Sequence, residues 1–475
     1  MTAILVSGGT YSGSGDLTCD AIVLGGQQAG GAVDWGVSTF ICPDGVLTLT
    51  ASSDVGYTDT AIFVYHTNDV WTHNGGTVRF TGTGLQNVTN YYNAAMTWND
   101  VEVQNNHSSL YEGVKWGSPW NFDTNMDSLT ISGAAHFITE NRTTSHFKVT
   151  GAVNIASGSM IRHATPINSD ELNAFGSLTI GANGTYVAAS NGGEVLSITN
   201  EIDYWAIDNL GGTFTHNDGT VEITTNTNTI IKGMDGTNAT NTLYDLKCNL
   251  GSDGYRLQLR PSGSTNTIAG DLTIVKGMFQ PETNTQSLTV SGNVIVSGGH
   301  LNGYSAARTG VDNYGSLDIK ADGEFTATTG ITNITNRNSG GYGWTRNAAG
   351  TFDPNGGTVA FTMADNSQYV VEDEFYNLTV DLPHVSYNEL RYQDIDGNGL
   401  RVNNDFLIND GHFKFDTAAD DLLVSGTLLV SGGSIFGITN TPTGDHTIGK
   451  LDNMGTYNAT TVSYTHLTLP TNREV

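Results

Sequence analysis

Basic residues are scarce in this 475-residue chain: 19 Lys and Arg stand against 47 Asp and Glu, giving a formal net charge of −28. A surface that negative repels phosphate backbones, so nucleic acid is not an expected partner. Proline is rare, at nine residues, and only 14% of the chain is charged. The three cysteines, Cys19, Cys42 and Cys248, are too few and odd in number to form a disulfide framework. Cys19 and Cys42 both end short apolar strands ("DLTC", "TFIC"), so they could pair with each other or serve as core thiols. Long apolar runs are missing too. None approaches the roughly 18 residues that span a bilayer, and no membrane span is expected. The first residues lack the charged and apolar regions of a secretion signal, and no segment carries an amphipathic helical period.

Glycine, by contrast, is abundant at 59 residues, and the polar mass is Thr, Asn, Ser and Asp. Thr packs well on a pleated surface, while Gly and Asn tolerate the left-handed positions of tight turns. Short strands and turns are therefore expected throughout.

The strands repeat. "WTHNGGTVRF" at 71–80 returns as "FTHNDGTVEI" at 214–223 and as "FDPNGGTVAF" at 352–361, a nearly constant interval. Each is followed by an apolar strand ("WNDVEV", "LYDLKC", "FYNLTV"). Next come "FKVTGAVNIASGSM", "LTVSGNVIVSGGHL" and "LLVSGTLLVSGGSI", and finally "NGTY", "DGEF" and "MGTY". A shorter beat runs inside these units. Gly411, Gly433 and Gly455 are evenly spaced, and Gly277, Gly299 and Gly323 keep the same step to within two positions. A rung of that length, made of short strands and Gly/Asn turns, cannot bury its own apolar side, whereas stacked rungs can. The expected fold is all-β: an elongated parallel β-solenoid of about 22-residue rungs grouped into repeats of about 140 residues. The alternative is a string of β-sandwich domains.

This reading divides the chain into a partial repeat at 1–70, repeats at 71–213, 214–351 and 352–462, and a tail at 463–475. The opening "ILVSGGTYSG" matches "LLVSGGSIFG" from 428, so the chain enters a unit late and reads as a fragment of a longer array. The tail "SYTHLTLPTNREV" breaks the pattern and resembles a translated sequencing adapter.

The most specific chemical motif is "DIDGNGLRVNND". Asp394, Asp396 and Asn398 hold positions 1, 3 and 5 of a twelve-residue calcium loop, Gly399 holds position 6 and Asp405 position 12. Calcium needs several hard oxygens on a sharply turned loop. Position 12 is Asp where such loops carry the longer Glu, and no helices flank the run. The second repeat has no carboxylates in the matching stretch, so a plain Asp/Gly/Asn turn is the competing reading. His73 and His216 fall in the "THN" phrase but are replaced by Pro354 in the third repeat, which favours a packing role over catalysis or metal binding. The run of Glu372, Asp373 and Glu374 reads as a solvated loop. Trp98, Phe375 and Tyr376 read as core or rim. No carboxylate pair breaks the regularity of the repeats in one place, as a glycoside-cleaving groove would, and the chain is expected not to be an enzyme.

The succession "FTHNDGTV", "GDLTI" and "FYNLTV", within 71–461, resembles repeats of large bacterial extracellular adhesin-like, filamentous-haemagglutinin-like β-helix proteins. The resemblance implies an extracellular or cell-surface location, an adhesive role, and host-cell or surface glycans or matrix as partners. It implies no required cofactor, calcium being the one candidate. Phage tail fibres and tailspikes use similar solenoids, so a virion protein that binds host glycans is the alternative, and a secreted polysaccharide lyase or glycosidase the third.

Overall fold

Alternation of apolar and polar residues, as in "LTVSGNVIV", sends every second side chain inward. The structure, a computed structural model, describes residues 3–25, 36–51, 60–91, 96–107, 113–117, 124–139, 147–162, 172–189, 194–234, 241–261, 263–303, 308–363, 367–372, 374–383, 388–394, 397–417, 420–431, 435–438, 444–457 and 462–467. Among these residues strands are the only extended regular structure, and no helix is present. All strand ladders are parallel, which rules out the sandwich alternative because its sheets are antiparallel. The chain is a β-solenoid. It divides into two compact units, Met1–Asp245 and Leu246–Val475.

In the first unit, one ladder climbs from Leu17–Cys19 through Val46–Leu49, Thr77–Phe80, Asp100–Val103 and Ser128–Ile131 to the long strands Phe147–Arg162 and Leu172–Val187. It then reaches Trp205–Asn209 and Thr229–Lys232. A file of rings runs from the half-buried Tyr11 through the core residues Phe40, Trp71, Trp98, Trp116, Phe137, Phe147, Phe175, Tyr186 and Phe214. Consecutive centroids lie 4.7–6.3 Å apart. That separation suits offset and edge-to-face packing, which adds about 0.5–1.5 kcal/mol per pair beyond area burial. Trp98, read from the sequence as core or rim, is core.

In the second unit, one register column of inward residues runs through Leu246, Leu272, Val294, Leu317, Trp344, Val370, Tyr392 and Phe415. All of them are buried. Phe375 is buried as well, whereas its neighbour Tyr376 stands at the rim. Val462–Leu467, where the tail begins, pairs in parallel with His446–Asn453.

The glycine beat appears as the register step wherever the turns are tight. Leu272 pairs with Val294, Met278 with His300, and Phe406 with Leu428. Elsewhere the step is a little shorter, as from Val359 to Leu378, or nearly doubled, as from Ile22 to Ile62. The recurring glycines mark corners, as the spacing predicts. A Cβ on Gly323 would come within 2.1 Å of the Val296 carbonyl oxygen one rung below, and one on Gly184 within 2.2 Å of that of Ile155.

Candidate functional site

The "THN" phrase is a structural joint. His216 Nδ1 accepts a hydrogen bond from the Asp218 backbone N–H at 2.9 Å, and its ring stacks on Tyr244 at 5.4 Å. His73 Nδ1 faces the Gly75 N–H in the same way at 3.5 Å. In the third repeat the turn is capped one residue earlier, where Asp353 Oδ1 accepts from Asn355 N–H at 2.9 Å. The more constant member of the phrase is its asparagine. Asn217 and Asn355 both have φ +46, and both donate Nδ2–H to a carbonyl one rung back, Ala188 and Ala327 respectively. Sequence reading singled out the histidine, yet the letter shared by "WTHN", "FTHN" and "FDPN" is Asn.

Two of the calcium-loop carboxylates, Asp394 and Asp405, accept hydrogen bonds from backbone amides. Asp394 accepts from the Gly397 N–H at 2.7 Å through Oδ1 and from the Gly399 N–H at 3.1 Å through Oδ2, which makes it the cap of its own turn. The strand Leu400–Val402 then carries the chain away. Asp405 reaches the neighbouring rung, its Oδ1 accepting at 2.8 Å from the N–H of Thr427 in the strand Leu422–Val430. Asn398 is exposed, and Asp396 lies outside the described residues. Among the described residues no three His, Cys, Asp or Glu side chains are placed to hold a metal ion.

One sequence reading needs correction, and the open question of the cysteines is answered. Glu372 is not part of a solvated loop: it is buried, and its Oε2 accepts from Arg346 Nε at 2.8 Å. Glu374 is the exposed member of the run, and Asp373 lies outside the described residues. Cys19 and Cys42 do not pair; all three cysteines are free and buried. Cys19 belongs to the main ladder, whereas Cys42 follows a strand of a separate three-stranded sheet. Burial pushes the Cys19 thiol up to about 11 and the Cys42 thiol up to about 12, so neither is a ready nucleophile.

Sequence reading also missed the polar nodes inside each unit. In the first, Arg162 Nε donates to Glu194 Oε1 at 3.0 Å with both side chains buried, and the buried Tyr186 phenol nearby is pushed far above its ordinary range by burial and by the Glu194 charge. In the second, Arg308 donates to both Asp312 oxygens, at 2.6 and 3.1 Å, and Tyr314 Oη–H donates to the same carboxylate at 2.9 Å. His446 occupies the register position of Asp312 one repeat later, and its Nδ1 lies 3.0 Å from Tyr457 Oη. These groups hold one another inside the core, out of reach of a substrate.

The open surface of the second unit is where a ligand could rest. A depression of about 620 Å³ is lined by 336–341 and Tyr369. Beside it lies a second, of about 380 Å³, to which Asn338, Tyr342, Thr345 and Arg346 contribute. An outward register column runs along this face through Tyr342, Tyr369, Arg391 and Lys414. The tyrosine rings are 5.4 Å apart, and the Arg391 guanidinium lies 5.9 Å from the Tyr369 centroid. Burial alone would raise the Glu389 carboxyl, but hydrogen bonds from Lys414 and Arg391 outweigh it and hold that carboxyl below its usual range.

A scan against family models, a search of curated proteins and a search of solved structures return no match to this chain.

Proposed function

We propose that the chain is a non-enzymatic structural and adhesive segment of a cell-surface or secreted protein, a β-solenoid that presents binding loops to glycans or matrix. The observation that carries this reading is the contrast between core and turns. Inward positions stay paired from rung to rung, while the length of chain per rung varies so much that the step from Val359 to Leu378 is less than half that from Ile22 to Ile62. Such a scaffold stays stable while its loops diverge, because each rung contacts only its neighbours. Among the groups most strongly shifted by burial, Tyr186, Tyr314 and Asp312 sit in the core.

The test is adhesion without turnover. Beads carrying the purified chain are applied to surfaces coated with polysaccharide, mucin or matrix protein, and soluble sugar is assayed alongside. Retention on at least one coating with no new reducing ends is the expected result. Release of oligosaccharide would replace the adhesive reading with a catalytic one. Failure to adhere to every coating would remove it.

A further inference from the structure

The outward column of the second unit is shaped to take a particular ligand. We infer that Tyr342, Tyr369 and the loop 336–341 form a binding strip for segments of a neutral polysaccharide, an inference that rests on the adhesive reading above. Three observations support it.

The first is a change of register. Tyr342 pairs with Tyr369, but Trp344 pairs with Val370, so Gly343 is an inserted residue. Such a bulge re-aims the side chain beside it. Here it leaves Trp344 buried in the core and sets Tyr342 outward in line with Tyr369. A Cβ on Gly343 would come within 2.1 Å of Gln368 Oε1, the end of a side chain that would have to move aside. The same shift recurs in the first unit between Trp205 and Ile207. There too it sets an aromatic residue outward, with Lys232 Nζ 5.0 Å from the Trp205 ring. Two occurrences at matching places in the repeat indicate a constructed feature.

The second is the stiffness of the loop. Asn338 Oδ1 accepts from the Gly340 N–H at 2.9 Å and the Tyr342 N–H at 3.1 Å, while Asn338 N–H donates to the Tyr342 carbonyl at 2.8 Å. Arg337 Nη1 reaches across to the Ser367 carbonyl at 2.7 Å and ties the loop to the next rung. The wall of the depression is therefore held before any ligand arrives, which lowers the ordering cost of binding.

The third is chemistry. The lining offers amide and hydroxyl groups from Asn336, Asn338 and Ser339 beside two phenol rings. The electron-rich ring face attracts the weakly positive C–H face of a pyranose, and the amides suit its hydroxyls. Arg391 and Lys414 both pair with Glu389 and Arg346 pairs with Glu372, while Arg337 of the loop itself donates to the Ser367 carbonyl. The net charge of −28 disfavours uronic-acid, sulfated or phosphate-bearing chains. Successive rungs about 4.8 Å apart would let an extended chain advance by one sugar from Tyr342 to Tyr369.

The experiment is calorimetric titration of the whole chain with neutral and with uronic-acid oligosaccharides. The variants are Y342A, Y369A, the ring-preserving Y342F and Y369F, and S339W, which fills the depression from an exposed loop position. Y204A, at an exposed tyrosine of the other unit, is the control, and circular dichroism confirms folding. Neutral oligosaccharides should bind, each alanine variant should weaken binding at least about tenfold, the phenylalanines should retain it and S339W should abolish it. Glycan binding that is unchanged in Y342A, Y369A and S339W overturns the strip but leaves the adhesive reading intact. Preferential binding of uronic-acid chains through the same residues overturns the neutral class. Adhesion to matrix protein with no affinity for any oligosaccharide overturns the inference alone, whereas the absence of all adhesion overturns both readings.

Discussion

Asn355 does two things that few residues can do together: it holds φ +46 and reaches back to the Ala327 carbonyl at 2.9 Å. Alanine at this position loses a hydrogen bond worth about 1 kcal/mol and takes on left-handed strain of about 1–2 kcal/mol. Glycine relieves the strain and loses only the bond. Urea unfolding should therefore rank the chain above N355G and N355G above N355A; equal midpoints for the two variants would show that conformation plays no part. Asp394 is a second residue whose role can be isolated. Its carboxylate already serves two turn amides, so D394A should cost about 1 kcal/mol. The loss should be the same in calcium and in excess chelator. A melting temperature that chelator lowers in the parent chain but not in D394A would instead support the calcium loop.

At the level of rungs and ladders, the fold was legible because its signals are periodic. Alternation marked the inward faces, and the glycine beat marked corners such as Gly299 and Gly323. Neither depends on long-range partners. The candidate surface was not legible. Tyr342 and Tyr369 belong to different rungs, and only the insertion at Gly343 brings them into one outward column. The buried nodes were hidden for the same reason. Arg308 and Asp312 look like ordinary surface charges in "ARTGVDNYG", and the neighbouring rung is what buries them. Once buried, the pair is intolerant of single changes. D312N leaves the Arg308 guanidinium uncompensated and should cost about 3–5 kcal/mol, whereas replacing both residues with apolar side chains of similar volume should recover much of that loss. Chemical denaturation of the single and double variants distinguishes the two. A double variant no better than D312N would show that the pair does more than neutralise itself.

Across the whole chain, acid acts on two populations of groups with opposite effects, and their pKa ranges decide which dominates. With 47 acidic against 19 basic residues the surface is repulsive. Protonating them relieves that repulsion, but ordinary carboxylates titrate near pH 4. The histidines respond earlier. Burial lowers His136, helped by His107; it lowers His300 against the pull of Glu324 and Asp353, and His446 against Asp421 and Asp445. Each is thus held neutral in the folded chain below the pH at which it charges in the unfolded one. As pH falls through about 6.5 the unfolded state gains protons that the folded state refuses, and stability is lost progressively until the folded pKa values are passed. The melting temperature should therefore fall by several degrees between about pH 7.5 and pH 5.5, before the carboxylates respond. The slope should flatten in H446Q, because glutamine can still reach Tyr457 Oη and does not titrate. A melting temperature that rises over that interval would mean that relief of the −28 charge outweighs the buried histidines. In that case raising ionic strength at neutral pH should stabilise the chain to a similar degree, because screening acts on the same repulsion without touching a proton.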